Sequence, residues 1–367
     1  MAENKEGRIS QLDGWRGISI LLVLTSHFFL FRLGNFIQPH KYFGWLASTC
    51  GTVGVRTFFV ISGFVIARQV LREEAATGSF SIGNFYIRRF FRIFPTYYLF
   101  LGTVGILGLI HAISVTPRNV VSCALYLTDT SFAHKTFVTS HSWSLAVEEQ
   151  FYLVFPLCWS FVKPARRQFW LIATVVGLLI WSAATQAGLL AQFFSPGAVA
   201  GFSCIAVGVL VAMQERRMTK LAGSIPSAVV VFATLFLFAR PFPTAVLASV
   251  AYVLVMPFCT ALLLLHTVGR KRSSSVLNAA SLQWIGLVSY SAYVWQQLFL
   301  ASPSEYGSAA IARVLHFPLL LPVVVAISYF LVEKTTNRLG RRISQRRAPA
   351  SSMVAGQRNG VILDPAS

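Results

Sequence analysis

Apolar residues cluster along this chain into blocks of roughly 15 to 25, the length a helix needs to cross a hydrocarbon core of about 30 Å. The blocks run over 17–33, 52–67, 94–113, 143–161, 169–187, 195–213, 225–239, 244–267, 284–301 and 311–332. A shorter apolar run at 120–128 is too brief to span and is expected to form a buried loop or re-entrant piece. The pattern predicts an all-α polytopic transmembrane bundle of about ten helices. Most connections are short, so successive helices should be neighbours. Two long connections are expected, at 68–93 and at 114–142.

Composition supports the same reading, because 55% of the 367 residues are hydrophobic and only 12% are charged, about half the charge usage of a soluble domain. A net charge of +19 would suit a nucleic-acid partner, but its distribution argues against one. If the first residues are cytoplasmic, 23 of the 31 basic residues fall on one side. They sit in groups at Lys5 and Arg8; Arg68 to Arg92; Lys163 to Arg167; Arg216 to Lys220; Arg270 to Arg272; and Lys334 to Arg358. That positive-inside pattern predicts both termini in the cytoplasm.

The first block follows Glu3, Glu6 and Asp13 and precedes no Ala-x-Ala site, so it is expected to be a retained helix. The five cysteines show no metal-ligand spacing, and no metal site is expected. Cys50 and Cys123 both fall on the outer side, where a bridge between them stays open. Residues 1–347 read as one membrane domain and 348–367 as a disordered tail.

Chemistry is sought among polar residues that a membrane helix should not carry. Asp13 and Arg16 share a helical face near the inner interface, where each offsets the other's desolvation. His27 lies eleven residues beyond Arg16, about 16 Å further across. It can serve as a general base, a proton relay or a hydrogen-bonded packing residue. Glu148 lies five residues inside the fourth block, at a depth similar to that of His27. A carboxylate there can orient the imidazole. Alternatively, Glu148 or Glu149 caps the helix N-terminus.

Arg88 and Arg92 are four apart among aromatics in Phe85–Tyr98. They are either topological charge with lipid contacts or an anion clamp, since guanidinium groups match phosphate geometry. No Gly-rich phosphate loop accompanies them. The small residues of Gly51–Ile66 favour close helix packing.

In order and spacing these segments resemble the acyltransferase 3 family of membrane O-acyltransferases, which includes bacterial polysaccharide and lipopolysaccharide O-acetylases. The resemblance rests first on Leu-Asp-Gly-x-Arg-Gly with His27, on 54–64, and on Arg-Arg-x-x-Arg-Ile-x-Pro-x-Tyr at 88–97. It continues through Trp-Ser-Leu-x-x-Glu-x-x-Phe-Tyr at 143–152, Gly-x-x-Ser-Tyr-Ser-x-Tyr-x-Trp at 286–295 and Glu333-Lys334. It implies that His27 is the active-site histidine, Glu148 its acidic companion, and Arg88 and Arg92 handle an acyl-coenzyme A donor. Asp13, Arg16, Ser144, Tyr152 and Gln296 are expected to play supporting roles. Gln296 stands where relatives often carry His, and Gln cannot act as a general base. Thr335 stands where they often carry Pro.

The resemblance further implies a bacterial cytoplasmic-membrane enzyme with no permanently bound cofactor, which moves an acyl group, acetyl above all, to a hydroxyl of a sugar-containing acceptor. Membrane lipids and glycan-assembly proteins are the other expected partners, and no hydrolase-like domain is expected to accompany the membrane part. Two rivals stay open: a transporter using the same ionisable residues, disfavoured by the lack of an inverted repeat, and a non-catalytic scaffold in polysaccharide assembly.

Overall fold

The computed structural model describes residues 9–33, 41–133, 136–190, 193–239, 245–269, 276–317 and 319–346. The expected tail and several expected cytoplasmic cations, among them Lys5, Arg8, Arg270 and Arg358, lie outside the described residues. Among those residues every extended element is helical, in order α1 (Ser10–His27), α2 (Lys41–Thr77), α3 (Ile82–Leu109), α4 (Pro117–Ala124) and α5 (Ser142–Phe161). There follow α6 (Pro164–Gln186), α7 (Pro196–Met213), α8 (Glu215–Ser224), α9 (Ser227–Phe238) and α10 (Val246–Gly269). The last are α11 (Ala280–Leu287), α12 (Ser289–Leu300), α13 (Ala309–Leu315), α14 (Leu320–Ile327) and α15 (Lys334–Arg346).

Six described helices are long and apolar enough to cross a membrane, and eight if each of two bent pairs counts as one span. The chain is thus an integral, multi-pass, all-α membrane protein, an architecture consistent with a bacterial inner membrane. Several expected blocks are broken or polar. Block 284–301 divides at Val288 into α11 and α12, and block 311–332 bends by 61° before Leu320. The 143–161 block forms the 20-residue α5 but is not among the six, since its first half carries Ser142, Ser144, Glu148 and Glu149.

The long inner connection expected at 68–93 is instead four residues, 78–81, between α2 and α3. Ion pairs keep the charged end of α2 helical: Arg68 to Glu215 at 2.9 Å, Arg88 to Glu73 at 2.7 Å and Arg167 to Glu74 at 2.8 Å. Gly78, at φ +75°, ends α2 and donates its N–H to the Glu74 carbonyl. Ser81 then caps α3 by accepting the Asn84 N–H, while Glu73 accepts the Ser81 N–H. The outer connection 114–142 is long, as expected, but α4 occupies part of the run expected to be irregular. Buried Asn119 ties it down by accepting from Thr136 and Thr139.

Glycines let the central helices touch backbone to backbone. A methyl group at Gly63 would strike the Ile205 carbonyl of α7, and one at Gly208 would strike the Val60 carbonyl of α2. At the other seam, a methyl group at Gly286 of α11 would strike the Asp13 carbonyl of α1. Asp13 and the N-terminal half of α1 are thereby locked against α11. The thiols of Cys50 and Cys123 are free.

Candidate functional site

These seams leave a cavity of about 860 Å³ between α1, α2, α3, α5, α12 and the carboxy-terminal helix. Its walls carry eight cationic side chains, Arg16, Arg68, Arg72, Arg89, Arg92, Lys334, Arg338 and Arg341, against three acidic ones, Asp13, Glu148 and Glu333. Most of the cations belong to the end where α2 finishes and α3 begins. The opposite end is formed by Val55, Phe58, Ser144 and Tyr293. There the Ser144 and Tyr293 hydroxyls are 2.6 Å apart, one donating to the other, and each lies 3.2 Å from the His141 carbonyl.

Along the wall, Ser62 and Tyr152 donate to the Glu148 carboxylate at 2.8 and 3.1 Å. The buried Arg89 guanidinium lies 5.1 Å over the Tyr152 ring and donates to Gln69. Buried Glu333 accepts from Ser291 at 2.7 Å. A chain of hydroxyls, carboxylates and guanidinium groups therefore runs down an otherwise apolar interior, where each polar group needs such a partner.

His27 is not part of the cavity lining. Its Nδ1 is 2.6 Å from Oε1 of Gln296, a fully buried residue one helical turn past Tyr293 on α12. With a carbonyl-type oxygen as partner, Nδ1 carries the proton and Nε2 keeps its lone pair. The amide nitrogen of Gln296 is buried with no hydrogen-bond partner among the described residues. Next to it, the Gln297 Oε1 accepts from Ser140 and lies 2.7 Å from the ring of buried His141, whose other nitrogen faces the Val294 carbonyl. Two adjacent glutamines of α12 thus grip two histidines, His27 at the end of α1 and His141 just before α5.

Several expected site residues come together and others separate. Asp13, Arg16, Arg92, Ser144, Glu148 and Tyr152 all line the cavity. Arg88 does not; it is held by Glu73 on α2, and Arg89 occupies the wall instead. The expected contact between Glu148 and His27 is replaced by Glu148 with Ser62 and Tyr152, and by His27 with Gln296. Glu148 and Glu149 lie beyond the first turn of α5, so neither caps it. Sequence reasoning passed over Arg89, Tyr293, Arg338 and Arg341. A signal existed for two of them, since Lys334, Arg338 and Arg341 recur at helical spacing.

A family model described as an acyltransferase domain matches residues 9–333. A Staphylococcus aureus protein provisionally named an O-acetyltransferase is 33% identical over 41% of this chain and 24% of its own length. The peptidoglycan O-acetyltransferase OatA of Listeria monocytogenes is 23% identical over 78% of this chain and 48% of its own. A Bacillus subtilis protein provisionally named a peptidoglycan O-acetyltransferase, YrhL, is 25% identical over 92% of this chain and 56% of its own. The chain therefore spans about half or less of these relatives' lengths. No solved structure matches it.

Proposed function

Because the chain belongs to the acyltransferase 3 family, we propose that it carries an acyl group, acetyl in the simplest case, from acyl-coenzyme A to a hydroxyl of a cell-surface or exported glycan. The observation that carries this reading is the polarity of the cavity: cationic at one end, its lining reaching Tyr293, one helical turn short of Gln296, the partner of His27. A donor with phosphates at one end and a thioester at the other suits that arrangement. In a ten-span layout with both termini cytoplasmic, the phosphates stay at the cytoplasmic mouth near Arg89 and Arg92, and the thioester reaches toward the outer half.

The acceptor hydroxyl gives its proton to Nε2 of His27 as its oxygen attacks the thioester carbonyl. Collapse of the tetrahedral intermediate expels the coenzyme A thiolate, which takes a proton back. The unpartnered Gln296 amide N–H is available to the oxyanion. Glu148 acts on Tyr152 and, through it, on the wall under Arg89, rather than on the imidazole.

The direct test is mass spectrometry of surface glycans from cells with and without the gene. Loss of an ester-linked acyl group is expected; identical glycans would sink the proposal. Two substitutions probe the geometry. Gln296→Leu removes the acceptor of Nδ1–H and is expected to lower kcat by roughly 100-fold, as misorientation of a catalytic group does. Its donor KM should hardly move, and an unchanged kcat would separate Gln296 from the reaction. Tyr293→Phe keeps the ring but frees it from Ser144, a loss of about 1 kcal/mol. Acceptor-independent thioester hydrolysis, read as released thiol, should then rise about five-fold; no rise would mean that the hydroxyl does not hold the cavity closed.

A further inference from the structure

The last described helix, α15, contributes cations that the proposed acyl transfer leaves unused. Lys334, Arg338 and Arg341 of α15 fall at positions i, i+4 and i+7, one face of a helix, and all three line the cavity. What aims that face is Gly340. Its missing side chain lets α15 lie directly on α3, where a methyl group would come within 2.7 Å of the Phe91 Cβ, one residue from Arg92. The docking sets Arg338 and Arg341 on the same wall as Arg92.

Neighbouring cations at this mouth already have partners: Arg68 pairs with Glu215, and Arg89 is held by Gln69 and Tyr152. Arg92, Arg338 and Arg341 form no ion pair among the described residues. Eight cations on this lining face three carboxylates, with Glu333 near enough to feel Arg92, so positive charge is in excess and an anionic ligand offsets it. Each of the three guanidinium groups offers a planar fork of donors that fits phosphate oxygens in pairs. Arg338 and Arg341 are exposed at the rim, and Arg92 is half-buried behind them.

We propose that Arg338 and Arg341, together with Arg92, form a phosphate clamp for the nucleotide head of the acyl donor, with α15 as its second jaw. The inference rests on the acyl-coenzyme A reading and extends it to a helix for which charge placement alone suggested only a topological role. A phospholipid headgroup at the inner leaflet would offer the same chemistry, so the test separates the two sources.

The full chain is placed in nanodiscs, and binding of coenzyme A is measured by titration calorimetry for the wild type and for Arg338→Gln/Arg341→Gln. Expected is a Kd raised at least about ten-fold in the double variant, because a lost charge-assisted bond is worth roughly a factor of ten. Adenosine 3′,5′-bisphosphate should compete for the wild-type site. Arg338→Lys/Arg341→Lys, which retains charge but not the fork, should fall between the two. Gly340→Leu, which leaves every arginine in place but lifts α15 from Phe91, should weaken binding as well; it also guards against a charge effect on folding. Retained anionic lipid is quantified by mass spectrometry on the same samples. Loss of lipid with unchanged coenzyme A affinity would assign the clamp to headgroups and overturn the proposal. Unchanged affinity and unchanged lipid would overturn it outright. A wild-type chain that fails to bind coenzyme A would instead bring down the donor reading itself.

Discussion

His27→Ala is expected to insert and fold as the wild type does while acyl transfer falls by about 10²- to 10⁴-fold, the usual contribution of a general base. The expectation follows from what surrounds the ring. Gln296 fixes Nδ1 as the donor nitrogen, so the basic nitrogen is Nε2. The ring also lies 5.3 Å from that of Phe31, within an aromatic run that includes Phe137. Removing it leaves the α1 packing at Gly17 and Val23 untouched, since those contacts are made by other residues. Thiol release from acetyl-coenzyme A in the presence of acceptor, with mass spectrometry of the product, measures the effect. Near-normal acylation would remove His27 from the chemistry. If the donor is held at the far end of the cavity as proposed, its affinity should stay within about two-fold, less than one charge-assisted hydrogen bond would change it.

The second large effect concerns folding. Gly208→Val should destabilise the protein by about 3 kcal/mol, at the upper end of overpacking costs, because the side chain would meet the Val60 carbonyl and the Phe64 N–H of α2 rather than flexible groups. That is a large share of the roughly 5–15 kcal/mol that separates folded from unfolded domains. The Gly63–Ile205 contact lies on the same seam, so α2 and α7 would have to part along their length. Thermal unfolding followed by size-exclusion chromatography should show a lowered transition and poor recovery. Gly177→Ala on α6 is the control: nothing lies within 4 Å of the added methyl group, so no loss is expected. Equal thermostability of the two variants would mean that the α2–α7 seam is not the tight packing it looks to be.

The membrane architecture was legible because apolar block length is a property of each segment alone. So was much of the site: Asp13, Arg16 and Glu148 stand out as ionisable groups in apolar surroundings, which require partners. What escaped depends on pairs distant in sequence. Gln296 meets His27 across 269 positions, and no local pattern marks that bond. The choice between Arg88 and Arg89 is decided by Glu73, which approaches from α2 only because the connection closes at Gly78 instead of opening into a loop. Similar depth for His27 and Glu148 is an expectation from helix rise, whereas the faces they present were not readable. Those are set by the glycine seams, where α1 meets α11 and α2 meets α7.

The Ser144 and Tyr293 end of the cavity bears on the cell as well as on the reaction. A membrane protein with a polar cavity in its interior faces a hazard that soluble proteins do not, since an open aqueous bore would short-circuit the ion gradients on which the membrane depends. The Ser144 and Tyr293 hydroxyls and Phe58 belong to the cavity lining and His27 does not, while the buried His141 and Gln297 hydrogen-bond to each other nearby. On the proposed acyl transfer, displacing one aromatic ring would let a slender thioester arm by while hydrated ions stayed out. Electrical insulation and group transfer would then be served by the same two residues.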